Sequence, residues 1–297
     1  MILVTGGTGF VGMKIVHALR AEDRPVRVLA RDPKDAETVA AWGCQVAEGD
    51  MTDADSLRRA VAGCEAVIDL VAIISGNRED FQRVMIQGTR DLVAAAKDAG
   101  VKRFVLMSAL GVGERSKDLT PYFHAKWDEE QTVQSSGLDY TIFRPSFVFG
   151  GDGGSLPIYI RQVRWSPVVT VIGDGKRRLQ PIWVDDVAAY FAKSFSLPET
   201  VNRTFEVAGP DVVTWDELYE RIRRVLGKRR RKIHMPYGLV RAGAAVVEKL
   251  PGDFPLSRDA VTMLEFEDNV TDIGPAVATF GIQPISLDEQ LRRAVAA

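Results

Sequence analysis

Cysteine is nearly absent. Cys44 and Cys64 are the only two among 297 residues, too few for a disulfide framework and without paired zinc-ligand spacing, so both read as small buried apolar residues of a reducing compartment. The three histidines, His17, His124 and His234, lie far apart in the sequence, and no metal site is expected from them. Charge of one sign is lacking too: 40 acidic against 38 basic residues leave −2, no field that would recruit nucleic acid. Long apolar runs are missing as well. A membrane-crossing helix needs roughly 18 apolar residues, whereas the stretches Ala66 to Ile74 and Leu239 to Leu250 are short and carry Asp69, Arg241 and Glu248. Met1-Ile2-Leu3-Val4 enters an apolar run at once, which leaves no place for a signal peptide. The expectation is a cytoplasmic chain, at most peripheral to a membrane.

What is present is rhythm. Short apolar runs alternate with segments of helical period, the pattern of strand-helix-strand units that build a parallel sheet covered on both faces. The spacing predicts strands at Ile2 to Thr5, Val26 to Ala30, Gln45 to Ala47, Ala66 to Val71, Phe104 to Met107 and Tyr140 to Phe143. Helices are expected from Phe10 to Leu19, Lys34 to Ala41, Asp53 to Ala62, Asp80 to Ala99 and Pro121 to Ser135. The fold class that follows is α/β, a Rossmann-type doubly wound parallel sheet over residues 1–150, with a smaller C-terminal α+β lobe over 151–297. Residues 181–200 are expected to return to the first domain, through a strand at Pro181 to Val184 and a helix from Asp185 to Phe195. Thr214 with Glu217, and Ser286 with Glu289, have capping-box spacing, and each announces a helix in the lobe.

The first strand runs straight into Thr5-Gly6-Gly7-Thr8-Gly9-Phe10-Val11-Gly12. Gly6, Gly9 and Gly12 form a G-x-x-G-x-x-G turn between strand and helix, where bare backbone lets N–H groups and the helix dipole meet a pyrophosphate. Gly6, Thr8, Gly9, Phe10, Val11 and Gly12 are therefore candidate cofactor contacts. The second strand ends in Ala30-Arg31-Asp32. No carboxylate stands at its tip to take both ribose hydroxyls, and a guanidinium at Arg31 suits the 2′-phosphate of NADP, so NADPH is expected over NADH, with NAD as the alternative. Ligands of such sheets lie at the carboxyl ends of the strands, which nominates Asp50 and Met51 for the adenine and Val71 and Ala72 for the ribose.

Tyr122-Phe123-His124-Ala125-Lys126 places a phenol and an ammonium one helical turn apart, just after the strand that ends before Ser108. A free phenol titrates near 10, and an adjacent cation favours the phenolate. Tyr122 is the candidate acid-base group, Lys126 its activator and the anchor of the nicotinamide ribose, and Ser108 the binder of a substrate carbonyl. His124 faces away from this pair around the helix.

The glycine turn, Ser108, Tyr122 with Lys126, Arg144-Pro145-Ser146 with Gly150, and Trp183-Val184-Asp185-Asp186-Val187-Ala188 together resemble the extended and atypical short-chain dehydrogenase/reductases. Pro181-Ile182, Leu250-Pro251 and Asp268-Asn269-Val270 are similar to the NmrA-like and complex I accessory-subunit-like branch. The resemblance implies an NAD(P)-binding oxidoreductase, NADPH-dependent toward a carbonyl or quinone-like substrate, with Pro145 and Ser146 also at the cofactor. It equally admits a catalytically silent dinucleotide-binding structural or sensor protein, and in third place a sugar-nucleotide epimerase or dehydratase. Where extended enzymes commonly carry an asparagine, in the helix before the fifth strand, this chain reads Val84-Met85-Ile86-Gln87-Gly88-Thr89. Two expectations concern the lobe: an apolar substrate pocket drawn from Phe147, Phe149, Tyr159, Trp165 and Trp183, and peripheral membrane contact through Lys228 to Lys232.

Overall fold

The first strand of the chain is buried at all four positions, as expected of a strand covered on both faces. The computed structural model describes residues 1–247 and 257–296. Leu250-Pro251, and the end of the apolar stretch reaching Leu250, lie outside them. Six strand-helix units open the chain: β1 (Ile2–Thr5), α1 (Phe10–Ala21), β2 (Val26–Ala30), α2 (Glu37–Ala41), β3 (Gln45–Glu48), α3 (Ala54–Val61), β4 (Ala66–Asp69), α4 (Arg78–Phe81), α5 (Gly88–Asp98), β5 (Arg103–Met107), α6 (Pro121–Gln134) and β6 (Asp139–Pro145). All six strands join one parallel sheet, and a seventh strand, Arg203–Val207, adds in parallel beside β6. The spatial order is Arg203–Val207, β6, β5, β4, β1, β2, β3. It reverses at β1, between β4 and β2, and such a switch point opens a crevice at the carboxyl ends of the strands.

The chain divides into two compact units. The first holds residues 1–145, 184–207 and 273–283. Helix Val184–Lys193 lies in this unit and packs on α1, whereas Pro181 to Trp183, expected to come with it, belong to the second unit. Residues 273–283, assigned above to the lobe, also belong here. Phe280 explains why: it is 1% exposed, and its ring lies 5.0 Å from Phe205, 5.1 Å from Tyr190 and 5.6 Å from Phe143. An aromatic cluster assembled from four separate stretches has no local sequence signal.

The helix predicted from Asp80 to Ala99 is three pieces. Between α4 and α5, residues Gln82–Gln87 form a π-helical turn, a geometry that often accompanies functional sites. Met85 and Ile86 in it are buried with Phe81 and Ala125, and Ile73 and Tyr122 pack on the same cluster.

The second unit holds residues 146–183, 208–272 and 284–297 among those described. The capping box at Thr214 is present: Thr214 Oγ1 accepts from Glu217 N at 3.1 Å and the Glu217 carboxylate accepts from Thr214 N at 2.7 Å, opening helix Trp215–Val225. Phe147, Tyr159, Trp215 and Tyr219 meet edge to face with centroids 5.5 to 5.9 Å apart. Phe149 and Trp183 are buried, while Trp165 is 76% exposed and so lies outside the aromatic group to which the sequence assigned it. Among the described residues no helix is long and apolar enough to cross a membrane, and no group of potential ligands could hold a metal ion.

Candidate active site

The site is built at the carboxyl ends of β1, β4 and β5. Gly6 follows β1 with φ +66°, a conformation that glycine adopts freely and side chains resist. Gly9 N donates to Gly6 O at 3.1 Å, and α1 begins at once with no side-chain cap. Its first N–H groups and the positive end of its dipole therefore suit an anion. The glycines answer two pressures. A Cβ on Gly12 would stand 2.0 Å from Gly6 O, and one on Gly7 2.9 Å from Val28 Cγ1, so these two serve close packing inside the chain. Gly9 is exposed and Thr8, Phe10 and Val11 are partly so, which leaves them as the face a ligand meets.

Beyond the tips of β2 and β3 lies a cleft of about 520 Å³ lined by Arg31, Glu48, Gly49, Asp50, Asp53, Ser56 and Arg59. Arg31 is exposed there. Asp32 spends its carboxylate on the following turn, accepting from Lys34 N at 2.9 Å. The Asp50 carboxylate accepts from Thr52 N at 2.8 Å and from Thr52 Oγ1 at 2.6 Å. Burial alone would raise its pKa, but these bonds and the nearby Arg31 and Arg83 hold it below the usual range. Met51 is 4% exposed and its side chain packs beneath Gly88, so only its backbone is free to meet an adenine. Val71 is half-buried and Ala72 exposed.

At the centre is a buried polar network. Asp69, the last residue of β4, accepts from Thr5 Oγ1 at 2.6 Å and from Thr89 Oγ1 at 2.9 Å. Its Oδ1 also accepts from Val71 N at 3.3 Å. Thr89 Oγ1 stands 3.5 Å from Glu129 Oε1. Lys126 Nζ donates to Met107 O at 2.9 Å, and lies 2.9 Å from Glu129 Oε2, off the line of a directed hydrogen bond. Lys126 is thus held at the end of β5, against the carbonyl that precedes Ser108. Ser108 is 2% exposed and its buried Oγ has no hydrogen-bond partner among the described residues.

Lys126 thus lies beside Ser108, and Tyr122 stands one turn before Lys126 on α6, but the electrostatics differ from the expectation. Burial raises the Tyr122 phenol, Lys126 lowers it and Glu129 raises it again, and the net direction is upward. The lowering expected from Lys126 alone is not what results, because burial outweighs it and Glu129 adds to the rise. Burial would pull the Lys126 ammonium down, yet Glu129, Tyr122 and Asp69 outweigh it and raise it. Asp69 and Glu129 escaped the sequence reading. Their signals were present, an acid closing an apolar strand and a carboxylate at i+3 from a lysine, but both patterns are common on surfaces. Glu130 is a second such case: it is fully buried and takes a two-pronged bond from Arg144, at 2.8 and 2.6 Å. Pro145 is buried in the first unit, whereas Ser146 belongs to the second, where its Oγ donates to Gln180 O at 2.5 Å. His124 is exposed, 3.7 Å from Asp118.

An uncapped helix start behind a glycine turn and an orphaned serine hydroxyl beside a lysine fit a nicotinamide dinucleotide. Comparison with known proteins agrees. Residues 6–194 match the family described as NAD(P)H-binding. The chain belongs to this family, within the extended and atypical short-chain dehydrogenase/reductases. Among relatives of this NAD(P)H-binding chain, an NAD(P)H azoreductase of Xenophilus azovorans is 29% identical over 77% of the chain and 74% of the relative. The mitochondrial NADH dehydrogenase [ubiquinone] 1 alpha subcomplex subunit 9 of Rattus norvegicus is 28% identical over 98% and 79%. The NADPH-dependent quinone oxidoreductase QOR2 of Escherichia coli, solved with NADPH, shares the fold with a TM-score of 0.76 at 22% identity, covering 98% of each chain. The stretch from Val84 to Thr89, read above against the asparagine of extended enzymes, runs through the π-helical turn, where Met85 is fully buried.

Proposed function

We propose that the chain is an NADPH-dependent reductase of a carbonyl or quinone-like substrate. The observation that carries this reading is the buried, unpartnered Ser108 hydroxyl beside Lys126 at the end of β5, with Tyr122 one turn before Lys126 on α6. The α1 start would hold the pyrophosphate, Arg31 with Arg59 the 2′-phosphate, and Lys126 the nicotinamide ribose. The bound nicotinamide supplies the reducing equivalent. Ser108 donates a hydrogen bond to the substrate oxygen, and Tyr122 delivers a proton to that same oxygen. NADPH oxidation measured against a panel of quinones and aromatic ketones tests the reading. Tyr122→Phe is expected to lose on the order of 10²-fold or more in kcat with NADPH binding by calorimetry intact. No oxidation with any acceptor, together with tight dinucleotide binding, would instead favour the silent binding protein, a reading supported by the relative that is a subunit of NADH dehydrogenase.

Arg31 carries the coenzyme preference. A hydrogen bond to a charged group is worth about 1.5–3 kcal/mol, so Arg31→Ala should weaken NADPH roughly tenfold or more while leaving NADH nearly unchanged. An unaltered affinity ratio would remove the 2′-phosphate assignment.

The basic run carries the proposal of peripheral contact with an anionic lipid surface. Arg230 is turned inward, donating to Val163 O at 3.0 Å and Arg164 O at 3.1 Å, and Lys232 pairs with Asp216 and Glu220. Lys228, Arg229 and Arg231 stay exposed, near the exposed Trp165, with Val168 paired to Arg231 across the strands. Basic side chains with an interfacial tryptophan suit such a surface. Flotation with vesicles of phosphatidylglycerol, and not of phosphatidylcholine alone, is expected, and is expected to fail in Trp165→Ser with the three bases changed to glutamine.

A further inference from the structure

The buried network contains two carboxylates and one ammonium. Asp69, Glu129 and Lys126 are each 1% exposed, and an unbalanced charge at such depth is costly. Asp69 accepts three hydrogen bonds, from Thr5, Thr89 and the backbone of Val71, the pattern of an acceptor-only carboxylate. Thr89 has one hydroxyl proton, and the shorter contact, 2.9 Å, gives it to Asp69. The 3.5 Å contact between Thr89 Oγ1 and Glu129 Oε1 is longer than a normal O–H···O bond, and Glu129 Oε2 accepts no directed hydrogen bond, so little besides Lys126 would compensate a charge on Glu129. Charge balance and donor counting agree.

We infer that Glu129 is the proton store of the site: it is a neutral acid in the resting protein and, through Lys126, re-protonates Tyr122 after each proton delivery. This rests on the reductase reading above. The groups facing Glu129 are Lys126 and Tyr122 on α6, Asp69 at the end of β4 and Thr89 on α5, while the Met107 carbonyl of β5 steers Lys126. Burial, opposed by Lys126 and reinforced by Asp69, raises the Glu129 carboxyl to about 7.

The balance closes. The substrate carbonyl gains two electrons and one hydrogen from the reduced dinucleotide, and its oxygen gains the Tyr122 proton as the phenolic O–H bond breaks. The phenolate takes a proton from Lys126 Nζ, Nζ takes one from Glu129, and the one proton consumed per cycle comes in the end from solvent. Tyr122 is half-buried, and the side chains it packs on, Phe81, Met85, Ile86 and Ala125, carry no proton.

Glu129 is a positioning residue, since it acts through Lys126. Its protonation is read without turnover by infrared difference spectra, stepping the pH from about 5 to about 9. A protonated-carboxyl band that disappears on this step in the wild type and is missing in Glu129→Gln is expected, with Glu129→Asp retaining one. A band unchanged in Glu129→Gln overturns the proposal. In kinetics with NADPH and the acceptor found active above, Glu129→Gln should lower kcat about tenfold, with KM for NADPH unchanged and kcat partly restored in Glu129→Asp. An unchanged kcat, or Glu129→Asp as slow as Glu129→Gln, removes the delivery step. Turnover absent in the wild type while the band is present sinks the reductase reading and the delivery step with it, and leaves the buried acid standing.

Discussion

Gly12 shows how little tolerance one position has. The helix start folds back so tightly on Gly6 that a methyl group at Gly12 would overlap its carbonyl, at 2.0 Å, and both contact groups are backbone. Overpacking of this kind costs about 1–3 kcal/mol and occasionally more, so Gly12→Ala should lower the denaturation midpoint clearly and weaken dinucleotide binding with it. Arg144 makes the complementary point about charge. Its partner Glu130 is fully buried and accepts both prongs of the guanidinium, so Arg144→Ala strands an anion and should destabilise by about 3–5 kcal/mol in urea unfolding. Neither change touches the reacting atoms. A stability loss at wild-type kcat for the folded fraction of Arg144→Ala separates this role from catalysis.

Among the elements, α6 does most to define the site. Thr120 caps it, accepting from Phe123 N at 3.2 Å; behind the cap Tyr122 packs on the π-helical turn and Lys126 reaches the Met107 carbonyl, while His124 faces water. The 3.6-residue pitch fixes that division, which is why the sequence shows it. Loss of the cap in Thr120→Ala should cost about 1 kcal/mol, and because it frees the helix start that carries Tyr122, kcat should fall more than KM changes. The same pitch could not reveal that the helix before β5 is broken by a π-helical turn at Gln82–Gln87. The apolar spacing through Asp80 to Ala99 fits a continuous helix, and only the packing of Phe81, Met85 and Ile86 against Ala125 and Tyr122 accounts for the widened turn.

For the whole molecule, the buried acid links stability to pH. The Glu129 carboxyl is raised to about 7 in the folded chain, against roughly 4.3 for an unfolded glutamate. In that window the folded chain holds a proton that the unfolded chain has released, so this group's contribution favours folding at low pH, declines as the pH rises and levels off above about 7. Thermal unfolding across this range should show the decline in the wild type and lose it in Glu129→Gln. Saturation with dinucleotide should add about 2.7 kcal/mol at a hundred times Kd. The amino-acid sequence by itself determined the six opening strands, the glycine turn and the Tyr122–Lys126 pair, because each is written in neighbours within one strand or one helical turn. Tertiary structure alone decided that Phe280 returns to the first unit, that Met51 is core, and that Asp69 and Glu129 compete for one ammonium. Those outcomes depend on which distant segments the sheet brings together and on the loss of water around them, and no periodicity along a chain records either.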